Sequence, residues 1–354
     1  MKQYKIYLMV ILFVFLSVFN LEANDVDAIP VIILPMYAQT ASWSPVENIV
    51  AVSITENSEH LIKLYRVDFD PILFEEVDTI VNSTVYEKNS RIQELLWSPD
   101  GKKLLVVSVA KYRVYDTTDF SLMYELPNET VVLVTWSPDS ASFVIPQVEN
   151  IVSDDKSGDH SSGFRVNTYH IIDAETGNNV DTIYIEDLSA ITSYTDDFWV
   201  TSIDWSTLPP NRIVFRGRYD IGFQVNLDDT PYRATPSLQC CGQDIYSVQW
   251  QPNGNYVATN AFVHDMVNDE VVFYYPENQH YYLIEWHPSG QFLATTILRT
   301  LDIIALEEQA VVINIPIDEV VADMTWSSNG RYLMIVSDNQ TVTIWDLAVL
   351  FKDI

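Results

Sequence analysis

Short apolar runs alternate with polar turns along almost the whole chain. The clearest run, Leu104-Leu105-Val106-Val107, follows the turn Ser98-Pro99-Asp100-Gly101, which itself follows Trp97. Ser-Pro-Asp-Gly is a type I turn written in residues: Pro pre-sets φ, Ser and Asp bond nearby backbone, and Gly eases the exit. Before Trp250, the stretch Asp244-Ile245-Tyr246-Ser247-Val248-Gln249 alternates polar and apolar, as a half-buried strand does. After its turn comes Tyr256-Val257-Ala258-Thr259. Each such unit therefore predicts a hairpin with a tryptophan at the bend. The phrase recurs seven times, at Trp43, Trp97, Trp136, Trp205, Trp250, Trp286 and Trp326. Four of the ten glycines (Gly101, Gly254, Gly290, Gly330) stand four residues after one of these tryptophans, so the turn is part of the repeat.

A repeat of about 40 residues with about four short strands is the pattern of a β-propeller blade. One blade cannot bury both faces of its sheet, whereas blades stacked radially bury them against two neighbours. The expected fold is all-β, a seven-bladed β-propeller, with the tryptophans filling the wedges between sheets. The last repeat offers strands near 320–326, 332–336 and 341–346 but lacks a fourth. The run Val31-Ile32-Ile33-Leu34 precedes the first repeat, so residues 31–36 are expected to close the last blade. Pro35 is tolerated there because an outermost strand is an edge. Blade one is expected over 37–85, with strands near 48–54, 61–67 and 73–80, and blade two over 90–126.

At this point the chain resembles the WD-repeat family. The carrying residues are Met324-Thr325-Trp326-Ser327-Ser328-Asn329-Gly330-Arg331-Tyr332-Leu333 and Thr341-Val342-Thr343-Ile344-Trp345-Asp346-Leu347, where Trp345-Asp346 is the dipeptide that names the family. Tyr115-Asp116 and Ile172-Asp173 are weaker equivalents, and the Gly-His pair that usually opens a WD repeat is absent. The stretch Trp97-Ser98-Pro99-Asp100-Gly101-Lys102-Lys103-Leu104 is equally similar to repeats of the periplasmic propeller of the Tol system and of some peptidase propellers. The resemblance spans most of residues 31–350. It implies a propeller and, since WD-repeat propellers are mostly interaction scaffolds, a protein-binding role.

The chain start changes where that role is expected. Lys2 and Lys5 precede an apolar run, Ile6 to Phe19, and Leu21-Glu22-Ala23 offers a cleavage site. Residues 1–23 read as a secretory leader and 24–354 as one propeller domain. The run is short for a membrane span, although an uncleaved anchor is the alternative, and no second apolar span follows. The mature product is therefore expected to be exported (secreted or periplasmic) and not membrane-inserted; it is also expected to be a monomer. The formal net charge of −30 shows no basic stripe, which argues against nucleic acid as a partner.

Three irregular connections break the repeat. Glu149 to Gly163 carries Asp154, Asp155, Asp159 and His160; Glu186 to Phe198 carries Tyr194, Asp196 and Asp197; and the connection before blade five carries the adjacent pair Cys240-Cys241. With the strand order of a propeller, all three emerge on one ring face and the Trp-Ser-Pro turns on the other. Loops on a rigid scaffold concentrate binding residues, so these nine residues are the candidate partner-binding site. The two cysteines are either free thiols or a vicinal disulfide. The oxygen-rich Asp154–Asp159 loop suits calcium chemistry but lacks the full alternating acidic pattern and a closing Glu, and no cofactor is expected. His160 is the candidate ligand among the six histidines, and His287, at a turn position, reads as a surface residue. Asp228-Asp229 reads as a turn. Asn82, Asn128 and Asn339 head Asn-x-Ser/Thr triplets. No nucleophile elbow, zinc-binding His-Glu-x-x-His or phosphate loop occurs. The expected function is a non-catalytic scaffold for a protein or peptide. The alternatives are a propeller hydrolase or lyase acting on sugars or lactones through acids in the central channel, and a small-ligand or metal sensor.

Overall fold

The computed structural model of the chain describes residues 29–348 except 35–37, 70–71, 85, 88–89, 129–133, 151–163, 185–199, 207–210, 218–221, 230–231, 233, 239–246, 253, 276–282 and 298. The strands, in order, are β1 (Ile29–Leu34), then β2 (Ala38–Trp43), β3 (Ile49–Glu56), β4 (Glu59–Phe69) and β5 (Ile72–Thr84) of blade one. Blade two holds β6 (Ile92–Trp97), β7 (Lys103–Ser108), β8 (Lys111–Asp116) and β9 (Leu122–Pro127). Blade three holds β10 (Thr135–Trp136), β11 (Ser142–Asn150), β12 (Phe164–Asp173) and β13 (Asn179–Tyr184). Blade four holds β14 (Val200–Trp205), β15 (Arg212–Gly217), β16 (Gly222–Asn226) and β17 (Ala234–Ser237). Blade five holds β18 (Val248–Trp250), β19 (Tyr256–Thr259), β20 (Phe262–Asp265) and β21 (Glu270–Tyr274). Blade six holds β22 (Leu283–Trp286), β23 (Phe292–Ile297), β24 (Thr300–Ala305) and β25 (Ala310–Pro316). Blade seven holds β26 (Val321–Trp326), β27 (Tyr332–Ser337) and β28 (Val342–Asp346), with β1 antiparallel to β28 at its outer edge.

Seven four-stranded antiparallel sheets result. Their first strands touch in succession around the ring, β10–β14–β18–β22–β26–β2–β6, and the Trp136 indole closes the remaining step by donating to the Leu96 carbonyl at 3.3 Å. Hydrophobic side chains gather into seven clusters, one in each wedge between neighbouring blades. The core is therefore a set of radial slabs, as the two-sided burial of β7 and β27 requires.

The turn after each tryptophan explains why the repeat folds locally. The Gly101 amide donates to the Ser98 carbonyl at 2.8 Å, the Ser98 hydroxyl accepts from the Lys103 amide at 2.9 Å, and it donates to Asp100 at 2.7 Å. Ser137 with Asp139 and Ser327 with Asn329 repeat the arrangement. Beside this turn, at the same end of the blade, the aspartate of the Trp-Asp position closes the third strand. Asp116, Asp173 and Asp346 each accept from an amide two residues on and so turn the chain.

All seven repeat tryptophans end a first strand and are buried. Trp97, Trp136, Trp286 and Trp326 each donate their indole N–H to the carbonyl of the residue before the preceding blade's tryptophan, at 3.0–3.3 Å. The other three depart from the pattern: the Trp43 and Trp250 indole N–H groups have no acceptor among the described residues, and Trp205 donates to Asn211 at 2.5 Å. In blade four, Ser206 is followed by Thr207-Leu208-Pro209-Pro210, which lie outside the described residues, where blade two carries Pro99-Asp100-Gly101.

His287, expected at the surface, is buried. It occupies the turn position that serine holds in blades one to four and seven. Its Nε2–H donates to the Gly330 carbonyl at 3.0 Å, its Nδ1 accepts from the Ser289 amide, and its ring packs edge-on against Trp326. Burial holds its pKa below the usual histidine value, so it is neutral. The correction has a physical cause: the next blade's turn lies on top of it, a contact spanning 43 residues. Gly330 has φ +72°, and a Cβ there would stand 2.1 Å from His287 Nε2. Gly330→Ala should therefore cost about 3 kcal/mol through left-handed strain plus a clash with a packed ring. Urea unfolding of the variant measures it.

Candidate functional site

The nine residues singled out for partner binding (Asp154, Asp155, Asp159, His160, Tyr194, Asp196, Asp197, Cys240 and Cys241) lie outside the described residues. The strand ends that carry their connections are described: Asn150 and Phe164, Tyr184 and Val200, and Ser237 and Val248. Because strands alternate in direction within each sheet, these six ends share the ring face opposite the tryptophan turns.

Polar side chains gather instead along the first strands, around the ring axis. The inner edge of a first strand has amides with no strand partner, and such groups must be satisfied or solvated. Here the preceding blade supplies the acceptors. Trp43 N–H donates to Thr325 Oγ1 at 3.2 Å and Ala41 N–H to Asp323 Oδ2 at 3.1 Å. Trp250 N–H donates to Asp204 at 2.6 Å and Val248 N–H to Ser202 at 3.1 Å. Trp286 N–H donates to Gln249 Oε1 at 3.3 Å. In these five bonds the geometry is positional: the residue one before a blade's tryptophan takes the tryptophan amide of the next blade, and the residue three before it takes the amide two residues earlier, whereas Trp205 N–H donates to Asp204 of its own blade. Asp204→Ala should cost about 2 kcal/mol in urea unfolding, because the Trp250 amide loses its acceptor, whereas Asp204→Asn keeps one and should cost less.

Four carboxylates stand in these positions: Glu94, Asp204, Glu285 and Asp323. Asp204 accepts from Thr135, Trp205 N and Trp250 N, and Asp323 from Thr40, Ala41 N and Met324 N. Glu285 accepts from Gln249 Nε2 at 2.7 Å. Each is half-buried on an inner strand. That burial, and then their mutual repulsion, pushes the Glu94 and Glu285 carboxyls up to about 8. Burial raises Asp204 to about 6 and raises Asp323 also. No signature motif announces these acids. The available signal was that the position before the tryptophan is polar in six of seven repeats (Ser42, Thr135, Asp204, Gln249, Glu285, Thr325), with Leu96 the exception.

The other candidates resolve simply. Among the described residues, no group of three or more His, Cys, Asp or Glu could hold a metal ion. Asp228 and Asp229 brace their own turn, accepting from Asn211 N and Asn226 Nδ2. Asn82 and Asn128 are buried and bonded to Tyr115 and Ser108, whereas Asn339 is exposed in the β27–β28 turn. Among the described residues, no helix is long and apolar enough to cross a membrane.

The ring defines the class: the chain is a seven-bladed β-propeller. Residues 318–346, most of blade seven, match the family described as "WD domain, G-beta repeat". Two solved structures share the fold over nearly the whole chain. A chain of the crystal structure of the mitotic checkpoint complex superposes with TM-score 0.63 at 16% identity, covering 93% of this chain and 98% of that one. The C-terminal WD40 domain of Sif2 superposes with TM-score 0.62 at 12% identity, covering 90% and 98%. No curated protein matches the sequence. The chain is thus similar in fold to WD40 propellers, and its last repeat, at 318–346, matches the WD-repeat family.

Proposed function

We propose that this propeller is an exported, non-catalytic scaffold that holds another protein or a peptide on the ring face bearing its three irregular connections. The observation that carries the reading is the strand alternation: the ends at 150/164, 184/200 and 237/248 all point to one face, on three consecutive blades. The WD40-like architecture supports it, since such rings typically serve protein interaction, and one structurally similar chain was solved within a complex. The apolar start of the chain supports export. The test is affinity capture from the source organism's exported fraction with residues 24–354 as bait. A second bait replaces 151–162 by a short Gly-Ser link. A partner retained by the first bait and lost by the second is the expected result. Equal retention by both removes the assignment to this face.

A second reading rests on Glu94 and Glu285. Carboxyls that hold their proton near neutral pH are suited to general-acid chemistry, and the ring interior would then act on a sugar or lactone. Turnover of such a substrate, abolished by Glu94→Gln or Glu285→Gln with folding intact, would favour this reading over the scaffold.

A further inference from the structure

Propeller rings are joined where the first and last blades meet. In this chain the visible lock at that seam is β1 on β28, with pairs Ile29↔Asp346, Ile32↔Ile344 and Leu34↔Val342. This ladder is imperfect, because Pro30 opposite Trp345 has no N–H and the register slips between Pro30 and Ile32. We propose that the seam is closed chiefly from the inside, by an Asp323 clasp and a Phe69 strap, and that β1 is a detachable outer lock.

The clasp joins blade seven to blade one at the ring axis. Asp323 Oδ2 accepts from the Thr40 hydroxyl at 2.6 Å and from the Ala41 amide at 3.1 Å, while its Oδ1 accepts from the Met324 amide at 2.9 Å. Thr325 takes the Trp43 amide. Further along the same wedge, the Ala38 amide donates to the Gln340 carbonyl at 3.0 Å, a direct backbone bond between the two blades. Apart from β1 on β28 within blade seven, none of these groups belongs to the N-terminal strand.

The strap is the hairpin β4–β5, of 11 and 13 residues against six and six for the corresponding β8 and β9 of blade two. Its extra length carries Phe69 across to blade seven, where the ring lies parallel to Tyr332 with centroids 4.2 Å apart. The other side of Phe69 faces Trp43 at 6.0 Å. Arg331 lies over the Tyr332 ring at 5.0 Å, and Arg331 in turn pairs with Asp346. Blade one thus reaches over the seam and is held by a side-chain stack on blade seven. The apolar wedge beneath it unites Val50, Val52 and Val67 of blade one with Met334, Val336 and Ile344 of blade seven.

The test uses the full chain and hydrogen–deuterium exchange at peptides covering 38–43 and 342–346. Ile32→Pro with Ile33→Pro removes the amides of two successive residues, so at least one ladder donor is lost whichever way they point. The expected result is faster exchange at 342–346, with 38–43 still protected to within about twofold. Adding Asp323→Ala or Phe69→Ala to that variant should then raise exchange at 38–43 by tenfold or more. Asp204→Ala, an equivalent cap away from the seam, should leave 38–43 unchanged. The proposal is overturned if the proline variant alone deprotects 38–43 or fails to fold, because the outer strand is then the essential lock. It is equally overturned if Asp323→Ala affects 38–43 no more than Asp204→Ala does.

Discussion

Melting of the protein should move to lower temperature as the pH is raised from about 4.5 to about 8. In the unfolded chain Glu94 and Glu285 titrate near 4.5, and in the ring they hold their protons to about 8. Below pH 4.5 both states are protonated and the ring loses nothing. Through the window the unfolded chain releases protons that the folded ring keeps, so stability declines and levels off above the folded values. Each tenfold difference in proton affinity between the folded and unfolded chain is worth about 1.4 kcal/mol. A single such factor at each of the two acids already gives about 3 kcal/mol, a few degrees of Tm in a chain of this size. A formal charge of −30 adds self-repulsion in the same direction, so the discriminating measurement is the variant. Glu94→Gln with Glu285→Gln should match the parent at pH 5 and melt higher than it at pH 8.5. A variant that melts lower at pH 8.5 would show that the ionised acids hold the ring together. Turn carboxylates act oppositely. The Ser137 hydroxyl bond to Asp139 and the Arg331 contact to Asp346 hold these groups below their ordinary range. Their contribution is present above about pH 4 and is lost below it. The stability maximum is therefore expected near pH 4–6.

Trp286→Ala should cost about 4 kcal/mol, the scale for emptying a buried indole site. Trp286 is 5% exposed, sits in the wedge between blades five and six with Ile284, Leu293 and Ile304, and donates to the Gln249 carbonyl at 3.1 Å. Trp286→Phe keeps most of the packing and loses the donor, so its cost should be about 1–2 kcal/mol. Val267→Ala, at a 64% exposed site, should cost almost nothing. Urea midpoints at constant m-value test all three. A Trp286→Ala loss no greater than that of Trp286→Phe would mean that packing contributes little and the indole bond carries the site.

The repeat was legible because its information is local. A tryptophan, a serine and a turn glycine lie within five residues, and the hairpin they make depends on little else. All seven first strands accordingly end at the expected tryptophan. What the sequence hid is what other blades impose. Blade-one strands expected at 61–67 and 73–80 run to Glu59–Phe69 and Ile72–Thr84: Phe69 packs on Tyr332 of blade seven, and at the opposite end Asn82 and Ser83 bond Tyr115 and the Ser90 carbonyl. His287 looked like a turn residue because Gly330, which covers it, belongs to the next repeat. Glu94 and Asp323 lie in repeats at opposite ends of the chain and have no local signal; ring closure brings their charges within reach of each other. The candidate loop residues lie in the connections that break the repeat, where no periodicity fixes a conformation.

One regularity of the ring bears on how such a chain arises. In every indole bond and every inner-edge amide bond to a neighbouring blade described above, the donor lies on the following blade and the acceptor on the preceding one. A single unit therefore carries a matching front and back. Duplicating its coding segment would create a new joint with both halves already complementary. The number of units is then limited by the angle at which the ring meets itself, and sequence drift can proceed unit by unit so long as the polar position ahead of each tryptophan keeps an acceptor.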